Sequence, residues 1–530
     1  MANFKADNIR QQTLLNVDFL EVLGTDTFEY SLYRLLERKE LLGAFIAQYK
    51  NDRGGRKAYP PAMLMRVIFY AYYRGVTSSR IIESLCKTDL KFMALAGGET
   101  PHFTTIANFV SDYPDAIGDV FQKVLLVCDE SGLIGKQHFA IDGCKLPSDA
   151  SKQWSGTHKE LKKKAVKMRK AAQKIIDKHR ANDGKPGGDS HKDKELQSID
   201  TLIRNAEKIE QFLAEKEPRE GQGAKKGEVQ SNITDPDSAK MVTGHGAEQG
   251  FVAVTAADEK RQIIVGAEAH GMGQEHSTLI PAIEGIEENL DIDLSKSGTV
   301  ITADTGFSSE ANMEYLFEKG IEAVVPDNQF RKRDPMFSES GTYNDQKEKR
   351  KKTRKDRAKT VAIFPASDFK VDLSSKTCIC PAGKEMMYHG EREDKTRGTY
   401  SRFRGKLKDC RSCSLSGQCM RNKVTGRGRQ IQFLNDDQKR TSYMELMRRK
   451  IDSDEGRHQY SKRMWVIEPV FGNITSNKRL NRFSLRGKAK VTGQWLLYCM
   501  VHNIEKLWRC LLYTSPSPRD ATLSRMPSSA

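Results

Sequence analysis

Apolar residues recur at helical spacing through Phe28–Tyr49 and Pro61–Arg74, so the chain up to about residue 115 reads as mostly helical. The basic Gly/Pro stretch Asn51–Pro60 separates these two runs as a linker. Ser78–Lys87 and Thr104–Val110 follow as shorter helices, the latter with Thr104 and Thr105 as capping candidates. Either a helix–turn–helix or a plain helical bundle fits this order. The pattern then changes. Gln137–Ile141 (QHFAI) is a short apolar run ending at Asp142, and is expected as a strand. Lys159–Glu217, rich in Lys, Glu, Ala and Leu, is broken by the polar stretch Asn182–Asp193 and predicts an antiparallel helical hairpin. Gly250–Ala257 and Gln262–Ala269 flank an Asp-Glu-Lys-Arg turn and predict a β-hairpin. Helix Ser277–Leu290, strand Gly298–Ala303, helix Ser309–Lys319 and strand Ile321–Pro326 complete a mixed α/β sheet with helices on its faces. Residues 327–450 break the rhythm with the basic run Gln346–Arg357, and helix returns from Arg457 to Arg509.

Composition narrows the class. The 530 residues allow two to four domains, and no run of apolar residues is long enough for a membrane span. Met1–Asp18 lacks the apolar run of a secretory leader, which points to the cytoplasm. The net charge of +17 favours a polyanionic partner, because Lys and Arg displace counterions from phosphates. The last segment, Cys510–Ala530, shifts composition abruptly and resembles a translated sequencing adapter; the natural chain is expected to continue past about Arg509 in some other way.

Three acids carry the candidate chemistry. Asp142 and Asp304 each follow an apolar strand, and strand ends in an α/β sheet open into the crevice where ligands bind. Glu468 lies in the helical segment YSKRMWVIEPVFGNI beside Trp465, Val466 and Ile467. Carboxylates converging from two strands and a helix suit hard, oxygen-seeking Mg²⁺, with two ions about 4 Å apart activating the nucleophile and stabilising the leaving oxygen. Against this stands the plain alternative that each is one of 70 ordinary acids. Asp235 and Asp237 read as a turn and His245 as structural.

RKAYPPAMLMRVIFYAYYRGVTSSRIIE, FAIDGCKL, DPDSAKM with GFVAVTAADEKRQIIV, ITADTGFSSEANMEYL, and the Glu468 segment with RFSLRGKAKV and LLYCMVHNIEKL occur in that order across about residues 50–509. In these segments the chain resembles the DDE transposases of bacterial insertion sequences, most closely insertion-sequence group eleven-eighty-two. The resemblance implies an α/β, RNase H-like catalytic core with a helical N-terminal domain, a helical-hairpin insertion and a zinc-ribbon-like insertion. It implies cleavage at inverted-repeat ends and strand transfer into target DNA, with catalytic Asp142, Asp304 and Glu468 holding Mg²⁺ (Mn²⁺ able to substitute). A homodimer on DNA and a nucleoid-associated location follow from the same likeness. The related signature Y-(2)-R-(3)-E-(6)-K is met by Tyr460 and Arg463, but Glu468 comes one residue late. Thr475 stands near the Lys position and Lys478 comes later; Tyr460, Arg463 and Lys478 are the DNA-contact candidates. The domains expected are 1–115, 116–330 with the hairpin at 155–220, a basic Cys-rich insertion at 331–450, the Glu and C-terminal helices at 451–509, and the non-native tail at 510–530.

Five of the ten cysteines fall between Cys378 and Cys419. Cys380, Cys410, Cys413 and Cys419 form C-x29-C-x2-C-x5-C, a set suited to structural Zn²⁺, with Cys378 and His389 as substitutes and free thiols as the alternative. The basic residues around it make a DNA-contacting ribbon conceivable, against a solvated loop. Cys86, Cys128, Cys144 and Cys499 read as core thiols. Competing functions are a DNA-binding relative without catalysis, a truncated transposase, and a zinc-ribbon RNA-binding protein; the last leaves the three acids unexplained.

Overall fold

The computed structural model describes residues 17–49, 57–182, 189–221, 227–244, 246–337, 364–394, 398–420, 426–435 and 442–514. His245, most of the linker after Tyr49, the basic run Gln346–Arg357 and most of the C-terminal tail lie outside these residues. The chain divides into two compact units, Met1–Phe307 with Ser461–Ala530, and Ser308–Tyr460.

The first unit begins with helices, among them α1 (Phe28–Leu36), α2 (Pro61–Tyr73), α3 (Ser79–Thr88), α4 (Phe103–Asp112) and α5 (Pro114–Glu130). The stretch expected as one helix from Phe28 to Tyr49 is broken, because Arg38 takes an extended backbone before a short 3₁₀ turn at Lys39–Leu42. Pro at its first position starts α2, where the missing N–H costs nothing.

Next comes a mixed sheet. Its strands are β1 (His138–Pro147), β2 (Ala239–Thr243), β3 (Gly246–Asp258), β4 (Ile264–His270) and β5 (Val300–Ala303). β3 pairs antiparallel with β1 along one edge, and with β2 and then β4 along the other; β1 also pairs parallel with β5. Two differences from the sequence reading stand out. β1 does not stop at Asp142 but continues to Pro147, because β3 pairs with it as far as Gly250. β2 is an additional strand, five residues long with Met241 alone buried, too short for periodicity to reveal.

β3 is buried without a break from Gln249 to Asp258, as expected of a strand covered on both faces. Helix α8 (Leu279–Leu290) packs on β3 and β4. Between β1 and β2 stand the long helices α6 (His158–Asn182) and α7 (Asp189–Glu215), an antiparallel pair closed around Leu161, Ala165, Ala206, Ile209 and Phe212. Helix α9 (Asp454–Gly472) enters this unit at Ser461, and α10 (Lys488–Thr514) ends it.

α10 covers the β4 edge. Asn503 exchanges two hydrogen bonds with the backbone of Ile264, at 2.8 and 2.9 Å, and Thr492 accepts from Ala269 N–H at 3.2 Å. An exposed edge strand would invite pairing with another chain; here side chains of a helix satisfy it. The N-terminus of α10 is held by Asp235 and Asp237, which accept from Gly487 N–H (3.1 Å) and Lys488 N–H (2.9 Å). These acids thus satisfy orphan amides of a helix start. The N-terminal helices join the same core, with Tyr72 stacked on Tyr498 at 4.3 Å and Phe28 on Tyr73 at 4.0 Å.

Two buried histidines make this core acid-sensitive. His138 Nε2 lies 2.9 Å from Thr302 Oγ1, and His502 Nε2 lies 2.8 Å from Gln262 O. Burial pushes His138 down to about 4 and His502 down to about 3. Both rings are neutral in the fold, whereas the unfolded chain takes up a proton on each below about pH 6.5. Stability contributed above that pH is therefore lost as pH falls, by about 1.4 kcal/mol per pH unit for each ring. Melting curves between pH 7.5 and 5 should show Tm dropping steadily below pH 6.5. A profile that stays flat in the wild type and in His502→Gln would mean the rings are charged when folded.

The second unit contains helices Glu310–Lys319 and Tyr443–Asp452 and the two-residue strand Ala323–Val324, shorter than the run Ile321–Pro326 that apolarity suggests. Glu310 accepts from Tyr443 N–H at 3.0 Å and so caps the later helix. A ribbon follows the first of these helices, with the hairpin Lys370–Asp372/Thr377–Ile379 and a three-stranded sheet of Met387–Asp394, Gly398–Arg404 and Gln430–Leu434. Among the described residues, Phe369, Cys378, Met386 and Phe403 form its buried core, with partly buried side chains such as Tyr388 and Phe433 packed against it. Among the described residues no helix is long and apolar enough to cross a membrane.

Candidate active site

The parallel ladder between β1 and β5 ends at the pair Ile141↔Ala303. Asp142 and Asp304 are the next residue on each chain, so the sheet register itself delivers the two carboxylates side by side. β3 carries β1 onward past this point, which fixes the Asp142 backbone from its other edge through Asp142↔Thr255. Gly143 N–H donates to Asp142 Oδ1 at 2.8 Å.

A cation lies against both acids. Arg463, from α9, places Nη1 2.8 Å from Asp142 Oδ2 and Nη2 3.6 Å from Asp304 Oδ1. The helix segment that carries it is tied to the β3–β4 turn by Lys462–Glu259 at 3.3 Å and by Gln262 donating to Trp465 O at 2.8 Å. Burial raises the Asp142 carboxyl above the ordinary aspartate value against the opposing pull of Arg463.

Glu468 sits five residues further along α9 and is exposed, as is Trp465 at 79%, while Val466 and Ile467 are buried. A helix turns about 100° per residue, so the extra residue between Arg463 and Glu468 rotates the acid away from the face shared by Tyr460 and Arg463. Its charge is felt at Cys144, two residues after Asp142 on the same strand face; burial, with Asp142, Glu275 and Glu468 adding to it, pushes that thiol up to about 11. Cys144 is thus not a core thiol like Cys86, Cys128 and Cys499: it is half-buried and looks toward the acids, because alternation along β1 puts it on the side of Asp142.

One acid was not anticipated. Glu275, in the loop between β4 and α8, has its side chain 14% exposed and its nearest ion-pair partner, Lys145, 4.0 Å away. Burial raises its carboxyl, Lys145 pulls the other way, and Asp142 and Asp304 add to the rise. The available signal was its position, an acid in the Gly-containing loop GMGQEHS just after a strand, the same placement that singled out Asp142 and Asp304.

The DNA-contact candidates separate. Tyr460, in the second unit, packs edge-on against Phe330 at 5.3 Å. Arg463 is engaged with the aspartates. Lys478 is withdrawn from any surface role: after the π-helical turn Asn473–Asn477 its side chain is 1% exposed and pairs with Glu505, which also accepts from Asn473 at 3.0 Å. The extra residue of the π turn points it into the core instead of toward solvent.

In the second unit Cys380, Cys410, Cys413 and Cys419 line one cavity. Cys378 points instead into the ribbon core, its Sγ 3.8 Å from Met386 Sδ, and His389 lines a separate hollow. Gly405 and Gly428 press on Cys410; a Cβ on either would stand 2.8 or 3.0 Å from its Sγ.

Among the described residues no group of three or more His, Cys, Asp or Glu side chains closes tightly enough to hold a metal ion. The donors nevertheless suit metals in kind. Asp142 and Asp304 are hard oxygen donors that share one guanidinium, whose single charge offsets only one of their two, and the four thiols of one cavity are the donors Zn²⁺ prefers.

No curated protein matches the chain. Residues 379–508 match the family described as Transposase DDE domain, and residues 17–112 match the Transposase domain (DUF772). Asp142 and Asp304 fall between the two matches, whereas the cysteine set, Arg463 and Glu468 fall within the first. The chain is thus similar to transposases both in its N-terminal helices and along the stretch from the cysteine ribbon to the last helix.

Proposed function

We propose that this protein is an insertion-sequence DDE transposase that cleaves DNA at the ends of its element and joins them to target DNA. The observation that carries the reading is the common end of the β1–β5 ladder, which sets Asp142 and Asp304 side by side beneath one cation. The two transposase-domain matches support it independently.

In this reading Asp142, Asp304 and Glu468 hold the metal. Two Mg²⁺ ions, when bound, would activate the attacking water or 3′-hydroxyl and stabilise the leaving oxygen. The chain's own contribution is positioning: the sheet fixes two carboxylates, and α9 brings Arg463 to them and carries Glu468 five residues further along the helix. Arg463, once its aspartates take up another cation, has a planar fork suited to a backbone phosphate. DNA with the element's inverted repeats is the substrate, and a homodimer on paired ends, in the cytoplasm at the nucleoid, is the working form. The net charge of +17 suits that partner.

The test is incubation of the purified protein with DNA carrying the inverted repeats that flank its gene. Mg²⁺-dependent breaks mapping to the repeat ends are expected. Binding without breaks would leave a DNA-binding relative, and neither would end the reading.

The ribbon is proposed to hold one structural Zn²⁺ on Cys380, Cys410, Cys413 and Cys419. Among its described residues only four are fully buried in the core, with Cys380 and Cys419 packed against them, a small core of the kind to which a metal contributes folding energy outright. Metal analysis should find one zinc per chain, lost in Cys413→Ser. A zinc-free wild type that melts identically with and without a chelator would defeat the assignment.

A further inference from the structure

Two glycines flank the aspartates, Gly143 one residue after Asp142 and Gly306 two residues after Asp304. Neither has a positive φ, so backbone conformation does not require them. Space does. A Cβ on Gly306 would stand 2.3 Å from Glu275 Oε2, and one on Gly143 would stand 3.3 Å from Glu275 Oε1 and 2.8 Å from Val252. Side chains are thus missing at the two positions where they would exclude the Glu275 carboxylate from the aspartates.

The carboxylate fits this cradle poorly as an ordinary buried acid. Its ion-pair partner among the described residues is Lys145, at the 4.0 Å limit of such a contact. A third negative charge drawn into a mostly buried site beside two others is costly unless a cation compensates it. Arg463 serves Asp142 and Asp304.

We infer that Glu275 is a further carboxylate of the site, seated between Gly143 and Gly306 to supply an oxygen donor to the divalent cation held by Asp142 and Asp304. This rests on the transposase reading and extends it to a residue outside the triad. It also gives the two glycines a role, as the space that lets a loop carboxylate reach the ends of two strands.

The measurement is Mn²⁺ binding to the full chain, followed by the loss of the free-ion electron paramagnetic resonance signal and by the rise in Tm on adding Mn²⁺. The wild type should bind Mn²⁺ and be stabilised by it. Glu275→Gln should weaken Mn²⁺ by about 10- to 100-fold, the range typical of lost metal-site partners, and should lose most of the Mn²⁺-induced rise in Tm while folding normally without metal. Glu275→Asp should recover part of the affinity. Gly306→Ala, which alters no acid, should weaken Mn²⁺ by displacing the carboxylate, and it keeps the inference testable if the glutamine variant misfolds. Glu275→Gln and Gly306→Ala with wild-type Mn²⁺ affinity, beside Asp142→Asn and Asp304→Asn variants that lose it, would overturn this inference and leave the transposase reading standing. Unchanged metal-dependent cleavage in Asp142→Asn would overturn that reading itself.

Discussion

Asp142→Asn and Asp304→Asn are expected to lower Mg²⁺-dependent end cleavage by at least about a thousandfold, and Glu468→Gln to do the same, with DNA binding retained. The size follows from what such a site supplies. Phosphoryl transfer leaves the protein little covalent chemistry, so positioning and charge neutralisation carry most of the rate, and both depend on the cation that the carboxylates hold. Fold and catalysis should separate cleanly. Asparagine keeps an oxygen facing Arg463 Nη1, now 2.8 Å from Asp142 Oδ2, so the strand and helix stay joined. Glu468 is exposed, so Glu468→Gln should leave stability within about 0.5 kcal/mol of wild type. Cleavage kinetics under single-turnover conditions, with electrophoretic shift of the same DNA, report both quantities. A variant that still cleaves at the wild-type rate removes its residue from the site. Retained cleavage in Glu468→Gln with loss in Glu275→Gln would hand the third position to the loop acid.

Lys478→Met should destabilise the fold by about 3–5 kcal/mol, the usual consequence of stripping one partner from a buried ion pair. The pair is well enclosed, with Lys478 1% and Glu505 7% exposed, and Arg509 reaches the other Glu505 oxygen at 2.6 Å. The double change Lys478→Met with Glu505→Leu should recover much of the loss, because no buried charge then remains unpaired and Arg509, which loses Glu505, is exposed. Urea unfolding followed by tryptophan fluorescence measures it, since Trp495 lies in the same core. The same protein separates two meanings of this lysine. A phosphate contact would leave stability intact and reduce the salt dependence of DNA binding by about one unit of slope. The buried pair predicts the reverse: lower stability, unchanged slope in whatever protein remains folded.

The reach of sequence reasoning differs from element to element. Long apolar patterns made β3 and β4 legible as a hairpin and α8 almost to its ends, and a charged, helix-favouring composition broken by a polar stretch made α6 and α7 legible as an antiparallel pair. The end of β1 was not, because the residues after Asp142 alternate weakly and only pairing with β3 as far as Gly250 holds them extended. Lys478 was a DNA-contact candidate through the likeness to the Y-(2)-R-(3)-E-(6)-K signature; its burial depends on a π turn and on Glu505, 27 residues later. Glu275 was passed over since an acid in a loop is ordinary until two distant glycines are seen to make room for it.

What the sequence determined by itself is the set of parts: apolar runs that must become buried strands, the acids that follow two of them, a thiol set at metal-like spacing, and a charge of one sign large enough to seek a polyanion. These are local or summed properties, written in neighbouring residues or in composition. Tertiary structure alone decided which parts meet: that the β1–β5 ladder ends just before both aspartates, that Arg463 bridges Asp142 and Asp304 across 321 and 159 residues, and that Gly143 and Gly306 open the space for Glu275. Such meetings depend on strand register and helix rotation. A shift of one residue turns a side chain by about 100° on a helix or to the opposite face of a strand, and no local pattern encodes that choice.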